Sequence, residues 1–126
     1  MRKIIFSLCC ILCFSACSKD YWKAKYYLLK AEGIFEKTEF KRSSNKIPTE
    51  KLAGDYRRAC DFFVKAYVLD KKVFFLYHIQ HGVDACWRGG DDFRREKFEF
   101  FEKDYIKSHP NEAEYGDMGM GAFSDV

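Results

Sequence analysis

Proline and histidine are scarce in this chain, at two and three residues of 126. Pro48 and Pro110 stand at element boundaries, and no stretch sustains apolar/polar alternation with a period of two, which argues against strands and for helices. There is no C-x-x-C pair, so neither a zinc knuckle nor a thioredoxin-like redox motif is available. Gly89-Gly90 is a lone turn signal and not a glycine-rich phosphate loop. His78 and His81 lie one turn apart, but Cys86 sits about 140° around the same helix from His81, so the three do not converge on a metal. Acidic residues are scattered, with no pair in an apolar setting that would raise a pKa for acid/base work. The expectation is a chain with no enzymatic centre, no metal and no cofactor.

Long apolar runs are equally few. The opening, "MRKIIFSLCCILCFSAC", sets Arg2 and Lys3 before an apolar run from Ile4 to Phe14. That run is shorter than the roughly 20 residues a spanning helix needs, and it suits the core of an export signal. "FSAC", residues 14–17, resembles the lipobox of bacterial lipoproteins, with Phe14 where that pattern favours Leu. The resemblance implies cleavage before Cys17 and lipidation of Cys17, leaving residues 17–19 as a lipidated tether. An ordinary signal peptide cut elsewhere, or an uncleaved anchor, is the alternative. Several acyl chains on one cysteine would anchor the chain stably, since each buried CH2 contributes about 0.8 kcal/mol.

Removing residues 1–16 takes Arg2 and Lys3 and no acidic residue, so 20 basic residues remain against 19 acidic ones. Charges of both signs are interspersed, and no electrostatic footprint for nucleic acid is left. Of six cysteines, three lie in the signal and Cys17 would carry lipid, which leaves Cys60 and Cys86. Outside the cytoplasm these two could form a disulfide; the alternative is a pair of buried free thiols.

Residues 20–110 read as four helices. The first runs from about Asp20 to Phe40 with two apolar stripes, Trp22, Tyr26, Leu29 and Gly33 on one side, Tyr27, Leu28, Ala31, Ile34 and Phe35 on the other. Two stripes predict neighbours on two sides. Lys41 to Glu50 has loop composition. The second helix, Gly54 to Asp70, is apolar over an arc about twice the ordinary width of a little over 100°, and so requires cover on both flanks. The third, about Val73 to Arg88, groups Phe75, Leu76, Ile79, Val83, Cys86 and Trp87 on one face. "GGDD", Gly89 to Asp92, is a turn. The fourth, about Asp92 to Ser108, puts Phe93, Phe100, Phe101 and Tyr105 together and stops at His109-Pro110.

The second and fourth helices repeat one another. "DYRRACDFFVKAY" and "DFRREKFEFFEKDY" share an acidic-aromatic-Arg-Arg opening and an F-F-x-K-x-Y close, with one residue inserted between. "GDYRRACDFFVKAYVLD" resembles the second helix of a tetratricopeptide repeat, with Gly54, Asp55, Tyr56, Ala59, Phe63, Ala66, Leu69 and Asp70 at that motif's usual places and Lys71 where it prefers Pro. The slightly longer Sel-type repeats are also similar, and "HPNEAEYGDMGMGAF" is similar to their Ala/Gly-rich first helix. The resemblance implies an all-α fold of about two helix-turn-helix hairpins, a short α-solenoid; the alternative is a compact four-helix bundle. Residues 111–126, with three glycines, would form a cap or a mobile tail. Since three repeats are usually needed for a stable array, a partner or self-association could complete the stack.

In such repeats the first helix of each hairpin lines the concave surface. The resemblance therefore implies partner binding by Tyr77, His81, Asp84 and Arg88, aligned at i, i+4, i+7 and i+11; the alternative is a solvated face with an Asp84–Arg88 pair. The function expected is a lipid-anchored helical-repeat adaptor for protein–protein interaction on the outward side of the bacterial cell envelope. Ser18 after the lipidated position, where Asp is absent, favours the outer membrane of a double-membraned cell. Alternatives are an accessory small-ligand-binding lipoprotein of a transport system, or a small structural or immunity-type lipoprotein.

Overall fold

The computed structural model describes the backbone of residues 2–44 and 47–112, with side chains from residue 19 onward. Lipidation at Cys17 and a cap formed by residues beyond 112 concern side chains and residues outside that description. Among the described residues there are four α-helices, α1 (Arg2–Ser43), α2 (Thr49–Leu69), α3 (Leu76–Arg88) and α4 (Asp92–Ser108), one 3-10 turn (Lys71–Val73) and no strand. The fold is all-α.

Local chemistry sets the boundaries. Ser43 and Ser44 hydroxyls donate back to the Phe40 and Lys41 carbonyls at 2.8 and 2.7 Å, closing α1. Pro48, extended at ψ 141°, cannot continue that helix but offers its carbonyl to the Lys51 and Leu52 amides, so α2 starts one residue later. The Asp70 carboxylate accepts the Lys72 amide and starts the 3-10 turn. At the end of α3, Gly90 takes φ 78° while Gly90 and Asp91 amides return to the Trp87 and Cys86 carbonyls, a Schellman closure. Asp91 then caps α4 by accepting the Arg94 amide at 3.1 Å.

Successive helices run antiparallel and pair as two hairpins. Helices two apart run parallel in two layers. In one layer α1 meets α3, with Glu32 against His81 and Glu39 against Arg88. In the other α2 meets α4, through Phe63 on Phe98, Tyr67 on Phe101 and the Asp61–Arg94 ion pair. The core is the single cluster between the layers, from Ala24, Leu28, Ala31 and Phe35 through Tyr56, Phe63 and Ile79 to Phe98 and Phe101. Helix α2 is covered on both flanks, as its wide apolar arc requires.

Several sequence expectations are corrected. The stripe of Trp22, Tyr26 and Leu29 has no neighbour, and these residues are 63%, 58% and 63% exposed. Helix α1 is an end helix, so only its second stripe meets α2. In α4 the buried residues are Phe98 and Phe101, while Phe93 and Phe100 face outward. The inserted residue turns the opening of α4 by about 100° relative to α2, so only one end of the repeat can stay in register. The closing end keeps it: Phe63 and Phe101 are both buried, whereas Tyr56 is buried and its counterpart Phe93 is not. Finally, Phe75 precedes α3 as its extended N-cap and is exposed. Helix α1 also extends through the tether expected at residues 17–19, and the loop narrows to residues 44–48.

Cys60 and Cys86, both fully buried, are joined in a disulfide between α2 and α3. Beside them a Cβ on Gly89 would lie 2.7 Å from the Arg57 backbone, so the end of α3 rests directly on α2. A bridge across 26 residues removes about 3 kcal/mol of unfolded-chain freedom. Thermal denaturation followed by circular dichroism should therefore show Cys60→Ser/Cys86→Ser melting roughly 10 °C or more below the native chain. Gly89→Ala should lower stability by about 1–3 kcal/mol through that clash. Gly54→Ala, where added volume meets nothing, should raise it by a few tenths to about 1 kcal/mol. Equal effects of the two glycine changes would contradict the packing.

Candidate interaction face

The row Tyr77, His81, Asp84 and Arg88 lies along the α3 side of the α1/α3 layer. Tyr77 is 53% exposed, its ring 3.9 Å from that of His78. Ring stacking on Phe35 at 4.6 Å holds His81, whose Nδ1 lies 2.8 Å from Glu32 Oε2. Arg88 donates from Nε to Asp84 Oδ1 at 3.1 Å and stands 4.0 Å from Glu39. Thus His81 and Arg88 knit α3 to α1, and the two outer positions of the row differ in kind: Tyr77 is open, Arg88 half-buried.

His78, buried on the other side of α3, accepts the Phe75 amide on Nδ1 at 3.0 Å. That bond fixes the neutral ring with its proton on Nε2 and closes the first turn of α3. Burial lowers its pKa, with the nearby His81 adding in the same direction and Glu32 opposing.

At the carboxyl end of α1, Glu39 is a hub. Its Oε2 accepts from Arg42 at 2.6 Å and its Oε1 accepts the Tyr56 hydroxyl proton at 2.7 Å, while Arg42 Nε donates to the Tyr56 oxygen at 3.1 Å. Burial opposes ionisation of Glu39, but the bonds from Arg42 and Tyr56 and the charges of Arg42 and Arg88 outweigh it and hold its pKa below the ordinary value. Burial, then the bond to Glu39 and its charge, push the Tyr56 hydroxyl up to about 12.

Next to this hub stands a residue the sequence reading had placed inside. Trp87 is 52% exposed, with the Arg88 guanidinium 5.1 Å from its ring and 5.9 Å from that of Tyr56. Cys86 points at α2 through its bridge, so the next residue turns past the edge of α2 into solvent. A helical wheel gives the angle of Trp87 but not where the neighbouring helix ends. Trp87 forms the ridge between two open grooves. One, about 540 Å³, is lined by Arg42, Ile47, Leu52, Tyr56, Trp87 and Arg88 among others. The second, about 630 Å³, lies between α3 and α4 and carries Asp84, Glu99 and Glu102 against Arg95. Burial, together with the charge of Glu99, raises the pKa of Glu102, a bond from Gln80 opposing. An apolar pocket between Val64, Tyr67, Phe93 and Phe98 measures about 110 Å³, below the roughly 300 Å³ of small-ligand sites. Among the described residues no three His, Cys, Asp or Glu side chains group as metal ligands.

Comparison with protein-family models, with curated proteins and with solved structures finds no match to this chain.

The hub makes stability depend on pH at both extremes. A carboxylate whose folded pKa is depressed stabilises above its unfolded value, near 4.5, and loses that contribution as pH falls through the folded one. Tyr56, raised from 10.0 to about 12, stabilises fully below 10 and loses its share between 10 and 12. Urea titrations at stepped pH should show Glu39→Gln with a shallower loss below pH 4.5 than the native chain. Tyr56→Phe should flatten the alkaline loss between pH 10 and 12. Parallel curves for native and variant chains would show that the hub does not act as described.

Proposed function

We propose that this chain is a lipid-anchored helical adaptor of the bacterial cell envelope, holding a protein partner across the ridge of Trp87 and Arg88. The lipobox-like "FSAC" supports the anchor. Two hairpins layered with like helices in parallel support the adaptor, because such stacks present extended surfaces to peptides and helices. The observation that carries the reading is the exposed Trp87, backed by Arg88 and Tyr56 and bordered by a groove on either side. Trp, Tyr and Arg are the residue types that dominate binding energy at interfaces.

The chemistry of the grooves narrows the partner. The α3/α4 groove pairs apolar Val83 and Trp87 with Glu99 and Glu102, which Arg95 opposes, and with Asp84, which Arg88 engages. A helix or extended segment with apolar anchors and flanking Lys or Arg fits that pattern. It would occupy the place where a third hairpin would continue the stack.

A photo-crosslinking amino acid at position 87, introduced in cells, should yield one dominant adduct, and the same group at Val68 should not. The captured partner, purified, should bind the native chain at least tenfold more tightly than Trp87→Ala/Arg88→Ala, corresponding to about 1.4 kcal/mol or more. Unaltered binding by that variant, with an unchanged circular dichroism spectrum, would remove this ridge from the reading. Tyr77→Ala separates the two ends of the row: a loss equal to that of Arg88→Ala would extend the contact along all of α3.

A further inference from the structure

The outer side of α1 carries a second exposed surface of different chemistry. Trp22, Tyr26, Leu29, Gly33, Glu36 and Phe40 alternate spacings of four and three, which places them in one line along the helix. Charge divides the line in two. Over residues 19–31 it is flanked by Lys19, Lys23, Lys25 and Lys30, with Asp20 the single acid. Among the described contacts these lysines form no ion pair, and Lys25 and Lys30 lie over the Trp22 and Tyr26 rings at 5.6 Å. Beyond that point charges of both signs mix, Glu32, Glu36 and Glu39 among Lys37, Lys41 and Arg42, and Glu32 and Glu39 are engaged by His81, Arg42 and Tyr56.

The antiparallel course of α2 brings its last turns to the same end of the molecule. There Val68 is 76% exposed, and a shallow groove of about 300 Å³ runs between Lys23 and Tyr27 on α1 and Val64, Lys65, Val68 and Leu69 on α2. Lys71 and Lys72 of the 3-10 turn, which packs on α1, follow directly. On α1, α2 and the 3-10 turn this end thus presents seven lysines against Asp20 and Asp70, and the Asp70 carboxylate is occupied by the Lys72 amide.

We propose that this end of the fold rests on an anionic phospholipid surface, with Trp22, Tyr26 and Leu29 entering the headgroup layer and the lysines meeting phosphates. The inference rests on the lipid-anchor reading for its orientation. Tryptophan and tyrosine favour the membrane interface, and lysines beside them strengthen binding to anionic lipid. Position agrees: Trp22 follows Cys17 by five residues and the apolar run Ile4–Phe14 by eight, about 8 and 12 Å of helix rise. A second copy fits the line poorly. A parallel copy sets Glu36 against Glu36, and an antiparallel one sets the row Lys23, Lys30 and Lys37 against itself.

The chain's two tryptophans make the test direct. The full processed chain, carrying either Trp87→Phe or Trp22→Phe, is reconstituted into phosphatidylcholine vesicles with or without phosphatidylglycerol. Brominated lipid should quench Trp22 several-fold more than Trp87, and more strongly with phosphatidylglycerol. Changing Lys19, Lys23, Lys25 and Lys30 together to Gln should abolish that phosphatidylglycerol-dependent excess. Quenching of Trp22 no greater than that of Trp87, or an unchanged quadruple variant, overturns the proposal. So does protection of Trp22 from lipid accompanied by a Leu29→Cys crosslink between two copies. Flotation separates the two readings: anchored chain floats with neutral vesicles whatever the lysines do. Flotation with phosphatidylglycerol vesicles alone keeps the surface contact and overturns the anchor, and flotation with neither overturns both.

Discussion

Helices α2 and α3 touch so closely that Gly89 has no room for a Cβ against the Arg57 backbone, and one helical turn away the same two helices share a covalent bond. Most of the architecture follows from that contact. Neither hairpin buries its apolar face alone, since Phe63 of the first needs Phe74 and Phe98 of the second. Pinning α2 to α3 fixes the offset between hairpins, and the offset brings α1 alongside α3 with Glu32 at His81 and Glu39 at Arg88. It also sets Trp87, the residue after the bridged Cys86, at the edge of α2 where the two grooves meet.

Much of this was legible in the sequence, and the losses have identifiable causes. The bounds of α4 were readable because Asp91-Asp92 and His109-Pro110 are local start and stop chemistry. The double cover of α2 was readable from the width of its apolar arc. Which apolar stripe of α1 would be covered was not, because both have the period of a helix and only the position of α2 chooses. Trp87 and Phe75 were misplaced for a related reason: each stands at the limit of α3, where the wheel still assigns an angle but the neighbour has ended. The Glu39–Arg42–Tyr56 hub joins residues 14 and 17 apart across a loop, a pairing that no periodicity encodes. Cys60 and Cys86 were a pair by elimination, but their separation in sequence says nothing about whether two helix faces bring them together.

The two ends of the molecule differ in electrostatic character although the chain as a whole is nearly balanced. At the amino end of α1, lysines accompany exposed aromatics without acidic partners. At its carboxyl end, charges are spent on each other, in Glu39 with Arg42, Asp84 with Arg88 and Asp91 with Arg94. The lysines at the first end are free to meet charge outside the chain, and the pairs at the second leave Trp87 as its exposed anchor. The membrane contact and the partner contact proposed above therefore use different residues at the two ends.

The disulfide also decides where tension travels. A pull applied between the start of α1 and the end of α3 enters through α1, the 44–48 loop and the first half of α2, reaches Cys60, and crosses directly to Cys86. Residues 61–85, which include Phe63, Phe74 and Ile79 of the core, lie in the closed covalent loop and carry none of it. The covalent bond therefore shields the centre of the core from any load applied between those two points.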